Sequence, residues 1–452
     1  METTAVKKCH PMAPFAVAIT FSFERFAFYV ARWLLAIFVV AETANGGLGL
    51  TKAEGAVISS ALVAWTYIAP VIGGVIADRW VSPRILVPLG LLFMGAGYLC
   101  AWQAYDLTML VIMIVLVSIG TGFFKGNANG ITGRLFNDPK VLDGVFSVQY
   151  SFVNLGSFLG TTIMSVVAIN IGYRFSFLIC GIVAIIGAFW FVLSGKAFLG
   201  ETGKKPFLVD SRVEKKATTT KDTKPLTTIE KQRVTAIVLL TVISILFWMV
   251  WYMAYLPVYY HFGPTIEGGL GHANWTFGNF TVPSAWFDSL NALSCIILGP
   301  VLAIVWRKLS NSKRGDLNMF QKTALGMILL GSSIALMVAA DIFRGAGQAN
   351  ILWIVFVGVV LTAGEMVFSP LGNSFINKFA PTKYLGTLLG VWPLAIFFVG
   401  LTYGHFYNFL DKFPFAQAFG ATAVVVITCG VILMALSKKL NTLVHDDTAN
   451  EE

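Results

Sequence analysis

Long apolar stretches, separated by short polar breaks, make up most of the chain. Twelve are long enough to be spans, at about 14–41, 54–77, 85–104, 108–132, 146–170, 173–194, 234–259, 283–306, 318–340, 350–376, 384–409 and 416–437, since a helix crosses the hydrocarbon core with ~20 apolar residues. Lys and Arg gather in alternate breaks: Lys7 and Lys8, Arg79 and Arg84, Arg134 and Lys140, the stretch 196–233, 307–314, Lys378 and Lys383, and Lys438 and Lys439. The opposite breaks are poor in them, and 260–282 has none. Basic loops face the cytoplasm, so the pattern predicts an all-α membrane protein of 12 transmembrane helices with both termini cytoplasmic. The segment 195–232, rich in Lys and Thr and without helical or strand periodicity, separates six spans from six. The expected organisation is a first six-helix bundle over 1–194, a cytoplasmic linker over 195–232, a second bundle over 233–440 and a tail over 441–452. GPVLAIVWRK after the eighth span faintly echoes GGVIADRW after the second, which suggests two related halves around a midplane site.

Composition agrees with that reading. The 452 residues are 56% hydrophobic and only 12% charged, more apolar surface than a soluble core needs. The net charge of +9 resides in the breaks between spans, so it encodes orientation and does not point to nucleic acid; basic loops can also rest on anionic lipid. The five cysteines are scattered without a CxxC pair, and no disulfide or metal framework follows. The first apolar run is too long for a removable signal and is not followed by a small-residue cleavage site. Asn274 and Asn279 begin NxT sequons, which matter only in a eukaryotic secretory pathway. His10, His261, His272 and His445 fall in loops or tails, and His405 has no Cys or His at ligand spacing, so no metal site or cofactor is expected.

Charges inside spans are the candidate chemistry. FSFERFAFYVAR (21–32) puts Glu24, Arg25 and Arg32 in the first span, where each costs ~2.5 to 3.5 kcal/mol at mid-bilayer. At ~100° per residue, Phe21, Arg25, Phe28, Tyr29 and Arg32 share a stripe, which predicts a polar cavity wall or, alternatively, pairing with neighbouring helices. In the second-to-third break, Asp78 follows Gly74 by four residues and precedes Arg79 and Arg84. An acid beside two bases at a cytoplasmic rim suits a gate that locks and releases a helix end, while Gly74 would let helices approach. Lys125 lies in the apolar run GTGFFKGNANG, where an ammonium requires an anion from protein or substrate. Asn154 in YSFVNLGS reads equally as helix-packing glue or as a solute contact. Asp288 and Asn291 stand in FDSLNALS, and Glu365, in TAGEMVFSPLGN, is the deep carboxylate of the later spans.

GGVIADRWVSPR resembles the GxxxDRxGxR loop motif of the major facilitator superfamily, with Ser82 where glycine is usual. ERF with Tyr29, YIAP at 67–70, GFFKGN, NLGS, Asn291, GEMVFSPLG and APTKYLGTLLGVW at 380–392, in this order and spacing, resemble the proton-dependent oligopeptide transporter family within it. The resemblance covers nearly all twelve spans. It implies the major facilitator fold, two six-helix bundles rocking about a central site, and a di- or tripeptide cargo without a bound cofactor. It also implies roles: Arg25, Arg32 and Lys125 for the cargo carboxylate, Glu365 and Asn291 for its amine, and Tyr29, Tyr67, Asn154 and Trp392 as pocket lining. Glu24, Arg25 and Lys125 are the implied proton-coupling set, with protons as the coupling ion. Opposite charges at the two ends of a zwitterion are sensible on electrostatic grounds alone.

Two departures bear on coupling. Phe21 stands where the family's ExxERFxYY motif begins with glutamate, and Phe28 where its first tyrosine belongs. In FWMVWYMAY, Tyr252 stands where the family carries an acid facing the span-four lysine. The reading is a secondary transporter, monomeric and multi-pass in the cell membrane, moving peptides with weak or unusual proton dependence. Two alternatives stay open: the same fold carrying a non-peptide zwitterion or organic anion, and a transporter-derived receptor. An enzyme is disfavoured because the spans hold no nucleophile and base pair or ligand set.

Overall fold

The computed structural model describes residues 10–136, 138–209, 226–312, 315–369, 375–376, 378–381 and 384–444. Its long helices are α1 (Ala13–Val40), α2 (Lys52–Arg79), α3 (Pro83–Trp102), α4 (Leu107–Thr132), α5 (Pro139–Asn170), α6 (Tyr173–Phe198), α7 (Thr228–Met253), α9 (Trp286–Ser310), α10 (Met319–Phe343), α11 (Ile351–Phe368), α12 (Leu385–Leu410) and α13 (Phe415–Asn441). A short α8 (Tyr255–Tyr260) continues α7. Each expected span coincides with one long helix. Larger shifts occur at α5, which starts at Pro139, a residue suited to a first helical turn, and at α11, which stops at Phe368.

Helix starts carry their own caps. Thr51 with Glu54, Thr227 with Glu230 and Asn318 with Gln321 form reciprocal capping boxes, and Asp106 accepts from Thr108 N and Met109 N. Among the described residues ten helices are long and apolar enough to cross a membrane; α1, with its three charges, and α12 are not among them. Apolar side chains such as Ile72, Val111, Leu193, Val242 and Val424 point outward, as lipid-facing residues do.

The first compact unit takes in α1 to α6 together with 266–268 and 282–292. Inside it α1 packs on α5, α6 and α2, while α4 packs on α3 and α2. The α2–α4 contact depends on Gly73: a Cβ there would fall 1.9 Å from Gly122 O. Gly74, the residue the loop motif singles out, has nothing within 4 Å of such a Cβ, so close approach belongs to its neighbour.

The expected linker starts too early in the sequence. The helix α6 runs to Phe198, and the next eleven residues fold back onto the first unit. Leu199 and Phe207 enter a buried cluster with Val17, Phe21, Leu91 and Phe124, while Phe207 N and Leu208 N donate to Ala77 O and Asp78 O. Apolar Leu199 and Phe207, set among polar neighbours, give this strap its hold; residues 210–225 lie outside the described residues.

The second unit comprises α7, α8, the rest of α9 and α10 to α13, with most of the 254–281 segment. In it α10 packs on α13 and α11, and α7 on α12. Its core joins Ile237, Leu240, Phe320, Phe375 and Leu433. Strand β1 (Ala273–Asn274) pairs in parallel with β4 (Ala349–Asn350), and β2 (Thr276–Phe277) with β3 (Phe280–Thr281) as a hairpin. These pairs fix the long loop that follows α8.

Candidate functional site

The stripe on α1 builds a charged wall in the first unit. Glu24 is fully buried and Arg25 nearly so, and the two pair along the helix, Nη2 of Arg25 donating to Oε1 of Glu24 at 2.5 Å and Nε to Oε2. The Arg25 guanidinium lies 4.6 Å from the Phe28 ring centre and 5.7 Å from that of Tyr29. Three residues beyond Tyr29, the Arg32 guanidinium lies 5.0 Å from the same Tyr29 ring centre. Its Nη2 donates to Asp288 Oδ1 at 2.6 Å. Along α1 the order is therefore carboxylate, guanidinium, aromatic pair and guanidinium, the last of them meeting a carboxylate from α9. Aromatic faces complement the guanidinium charge where water is excluded.

Asp288 comes from the first turn of α9, which is fastened to this unit at several points. Thr161 and Ser289 share a hydroxyl contact at 2.7 Å, and Trp286 Nε1 donates to Thr162 O. Just before α9, Ser284 Oγ accepts from Trp33 Nε1 at 3.1 Å. Asn291, three residues beyond Asp288, is partly buried on the same helix. Pairing across 256 residues has no local sequence signal, although the two unexplained charges inside spans were its trace.

Lys125 differs from both arginines. Partly buried in α4, its Nζ lies 4.6 Å from the centre of the Tyr67 ring, and among the described residues no carboxylate reaches it within ion-pair distance. Of the three cations assigned to the cargo carboxylate, two already hold protein carboxylates, whereas Lys125, among the described residues, meets a ring. Asn154 donates to its own helix, Nδ2 to Tyr150 O at 3.0 Å. Two residues on, a Cβ at Gly156 would fall 2.3 Å from Ser22 O, so NLGS serves the α1–α5 contact.

Both departures from the family motif are filled by packed rings. Phe21 is buried edge-on to Phe124, with centroids 4.9 Å apart. Tyr252 stacks on Tyr403 at 5.6 Å within the second unit. Near it, Trp248 and Trp251 are buried, yet neither indole N–H finds an acceptor among the described residues. Buried donors of this kind are costly unless a ligand or water serves them; FWMVWYMAY marked the position but not this property. Glu365 is partly buried on α11, one helical turn before Phe368, which stacks on Phe247 at 3.9 Å. Trp392 leans on the second unit's core and, with Phe375 and Thr323, lines a small apolar cavity. Pro370 and Lys383 lie outside the described residues.

At the basic rim, Arg84 binds carbonyls. Its Nη1, Nη2 and Nε donate to Gly195 O at 2.8 Å, Gly200 O at 2.6 Å and Thr202 O at 2.9 Å. It thereby satisfies the open end of α6 and holds the strap. Asp78 is partly buried and Arg79 exposed, without an ion pair to each other.

Glu267, in the loop between α8 and α9, is a buried carboxyl the sequence did not flag. It is fully buried, and its oxygens accept from Ser284 N at 3.2 and 3.3 Å. Burial pushes its pKa up to about 7, against the lowering effect of the Ser284 bonds. A carboxyl raised in the folded state favours folding while protonated, so stability falls as pH rises from about 4.5 to about 7 and is flat above. At 1.36 kcal/mol per unit this amounts to on the order of 3 kcal/mol. Glu267→Gln is expected to flatten unfolding temperature across that window and to raise it above pH 7. An unchanged slope in the variant would contradict the assignment.

The histidines also depart from expectation. His261 and His272, with no ligand spacing in sequence, meet Asp341 in the second unit, their ligating atoms all within 4.8 Å.

Comparison with known proteins accords with this geometry. The Major Facilitator Superfamily profile matches residues 21–405. An uncharacterized transporter of Bacillus subtilis (strain 168) is 27% identical, covering 95% of this chain and 94% of its own. A di-/tripeptide transporter of Lactococcus lactis subsp. cremoris is 24% identical, covering 94% of each chain. Among solved structures, a mutant peptide transporter POT in complex with alafosfalin superposes with a TM-score of 0.85 at 24% identity, over 97% of this chain and 96% of that one. A POT family transporter in complex with 5-aminolevulinic acid gives 0.84 at 24%, over 95% and 97%.

Proposed function

Because the chain belongs to the Major Facilitator Superfamily, we propose that this integral, multi-pass protein of the cell membrane moves di- and tripeptides by alternating access. One observation carries the reading: Lys125, a cation within a span, has an aromatic ring but no carboxylate among the described residues. An ammonium so placed is an anion receptor, and a peptide carboxylate is the anion proposed for it. Glu365 takes the cargo amine. The Glu24–Arg25 and Arg32–Asp288 pairs hold the α1 wall and its rings in place. Asp78 and Arg79 act at the cytoplasmic rim, both termini lie on that side, and the protein works as a monomer. Full-length similarity to a di-/tripeptide transporter supports the cargo class.

A second reading, a non-peptide zwitterion, draws on two facts. Rings replace the two carboxyls at Phe21 and Tyr252, and a structural neighbour was solved with 5-aminolevulinic acid, which carries an amine and a carboxylate without a peptide bond. Thermal-shift measurement against di- and tripeptides, single amino acids and organic anions separates the readings: peptides alone should stabilise the protein. Stabilisation by single amino acids or organic anions in their place would select the second.

Coupling is expected to be weak, and Glu24 is its carrier. A cargo carboxylate arriving beside Arg25 would compete with Glu24 for the same guanidinium. Glu24→Gln should remove the pH dependence of uptake while leaving counterflow exchange, which moves no net proton, within about two-fold. Retained pH dependence in the variant would transfer the role elsewhere.

A further inference from the structure

Beyond transport, we propose that His261, His272 and Asp341 form a binding site for a divalent transition-metal ion of the zinc class. The three come from separate places in the second unit. His261 ends α8, His272 precedes β1, and Asp341 lies in the last turn of α10. His261 Nε2 is 2.8 Å from Asp341 Oδ1 and 3.1 Å from His272 Nδ1.

Hydrogen bonding alone serves this arrangement poorly. A ring nitrogen carries either a hydrogen or a lone pair. With a hydrogen, Nε2 must divide it between the carboxylate and His272 Nδ1. With a lone pair, it faces the negative oxygen of Asp341. A cation set among the three accepts a lone pair from each, and two imidazoles with one carboxylate suit Zn²⁺ and its neighbours over Mg²⁺ or Ca²⁺.

The surroundings hold the donors in place. The His261 ring stacks on Phe415 at 4.0 Å with an 11° interplanar angle. The backbone oxygen of His272 accepts from Ala349 N at 2.8 Å, where β1 joins β4. Arg344 Nε donates to Asp341 Oδ1 at 2.8 Å, and its positive charge opposes a cation at the same oxygen. An ion here would tie the ends of α8 and α10 to the loop between α8 and α9.

The test is a Zn²⁺ titration of the full-length protein, free of any polyhistidine tag, in competition with a chromophoric chelator. One equivalent should bind, Mg²⁺ in excess should not displace it, and His261→Ala or His272→Ala should each weaken it by about 100-fold or more, beyond the usual effect of outer-partner changes. Arg344→Gln should tighten binding several-fold, a result that does not depend on the histidine variants folding. No stoichiometric binding, equal affinity in folded histidine variants, or an unchanged affinity in Arg344→Gln would overturn the assignment.

Discussion

Lys125→Ala is expected to abolish both ligand stabilisation and uptake while leaving the protein folded. Among the described residues the ammonium makes no ion pair and meets the Tyr67 ring at 4.6 Å. Removing it strips a cation–π contact of ~1 to 2 kcal/mol from the fold. The cargo loses more: leaving a desolvated carboxylate without its counter-charge costs ~2 to 5 kcal/mol, about 30-fold to several thousand-fold in affinity. Lys125→Arg, which keeps the charge in a different shape, should recover part of the binding. Peptide affinity in Lys125→Ala within about three-fold of wild type would remove Lys125 from the site.

Asp288→Asn carries the largest expected cost in stability. The Arg32–Asp288 pair buries both side chains almost completely, at 11% and 1% exposure, with the guanidinium over Tyr29. Neutralising one partner leaves the other charge buried, which costs ~3 to 5 kcal/mol. Arg32→Ala should cost a similar amount. Replacing both with apolar residues should recover most of the loss, since the buried charges vanish together. Thermal unfolding in detergent reads this directly. Single variants as stable as wild type would mean that the pair is not what holds the start of α9 in the first unit.

The fold was legible because membrane helices announce themselves: each needs a long apolar run. Chemistry inside the spans was legible as types of residue. Glu24, Arg25, Arg32, Lys125, Asp288 and Glu365 stood out because charge is costly in lipid. Their partners were not, since Arg32 and Asp288 lie 256 residues apart and no periodicity links them. Arg84 read as a gate residue because its neighbours are Asp78 and Arg79; its carbonyl partners lie more than 100 residues away, at Gly195, Gly200 and Thr202. The strap at 199–209 was hidden by composition, since two buried apolar residues among polar ones leave no period. Glu267 and the His261, His272 and Asp341 cluster were missed for a similar reason: in a loop, burial and convergence are set by tertiary contacts alone.

The central claim is tested most directly by uptake into liposomes holding the purified protein, with a radiolabelled dipeptide outside and an imposed proton gradient. The account predicts saturable dipeptide entry that unlabelled di- and tripeptides compete away, a response to the gradient shallower than in transporters with the complete ExxERFxYY motif, and no entry with Lys125→Ala. Binding without entry, or saturable entry of a single amino acid or organic anion with no entry of the dipeptide, would contradict it.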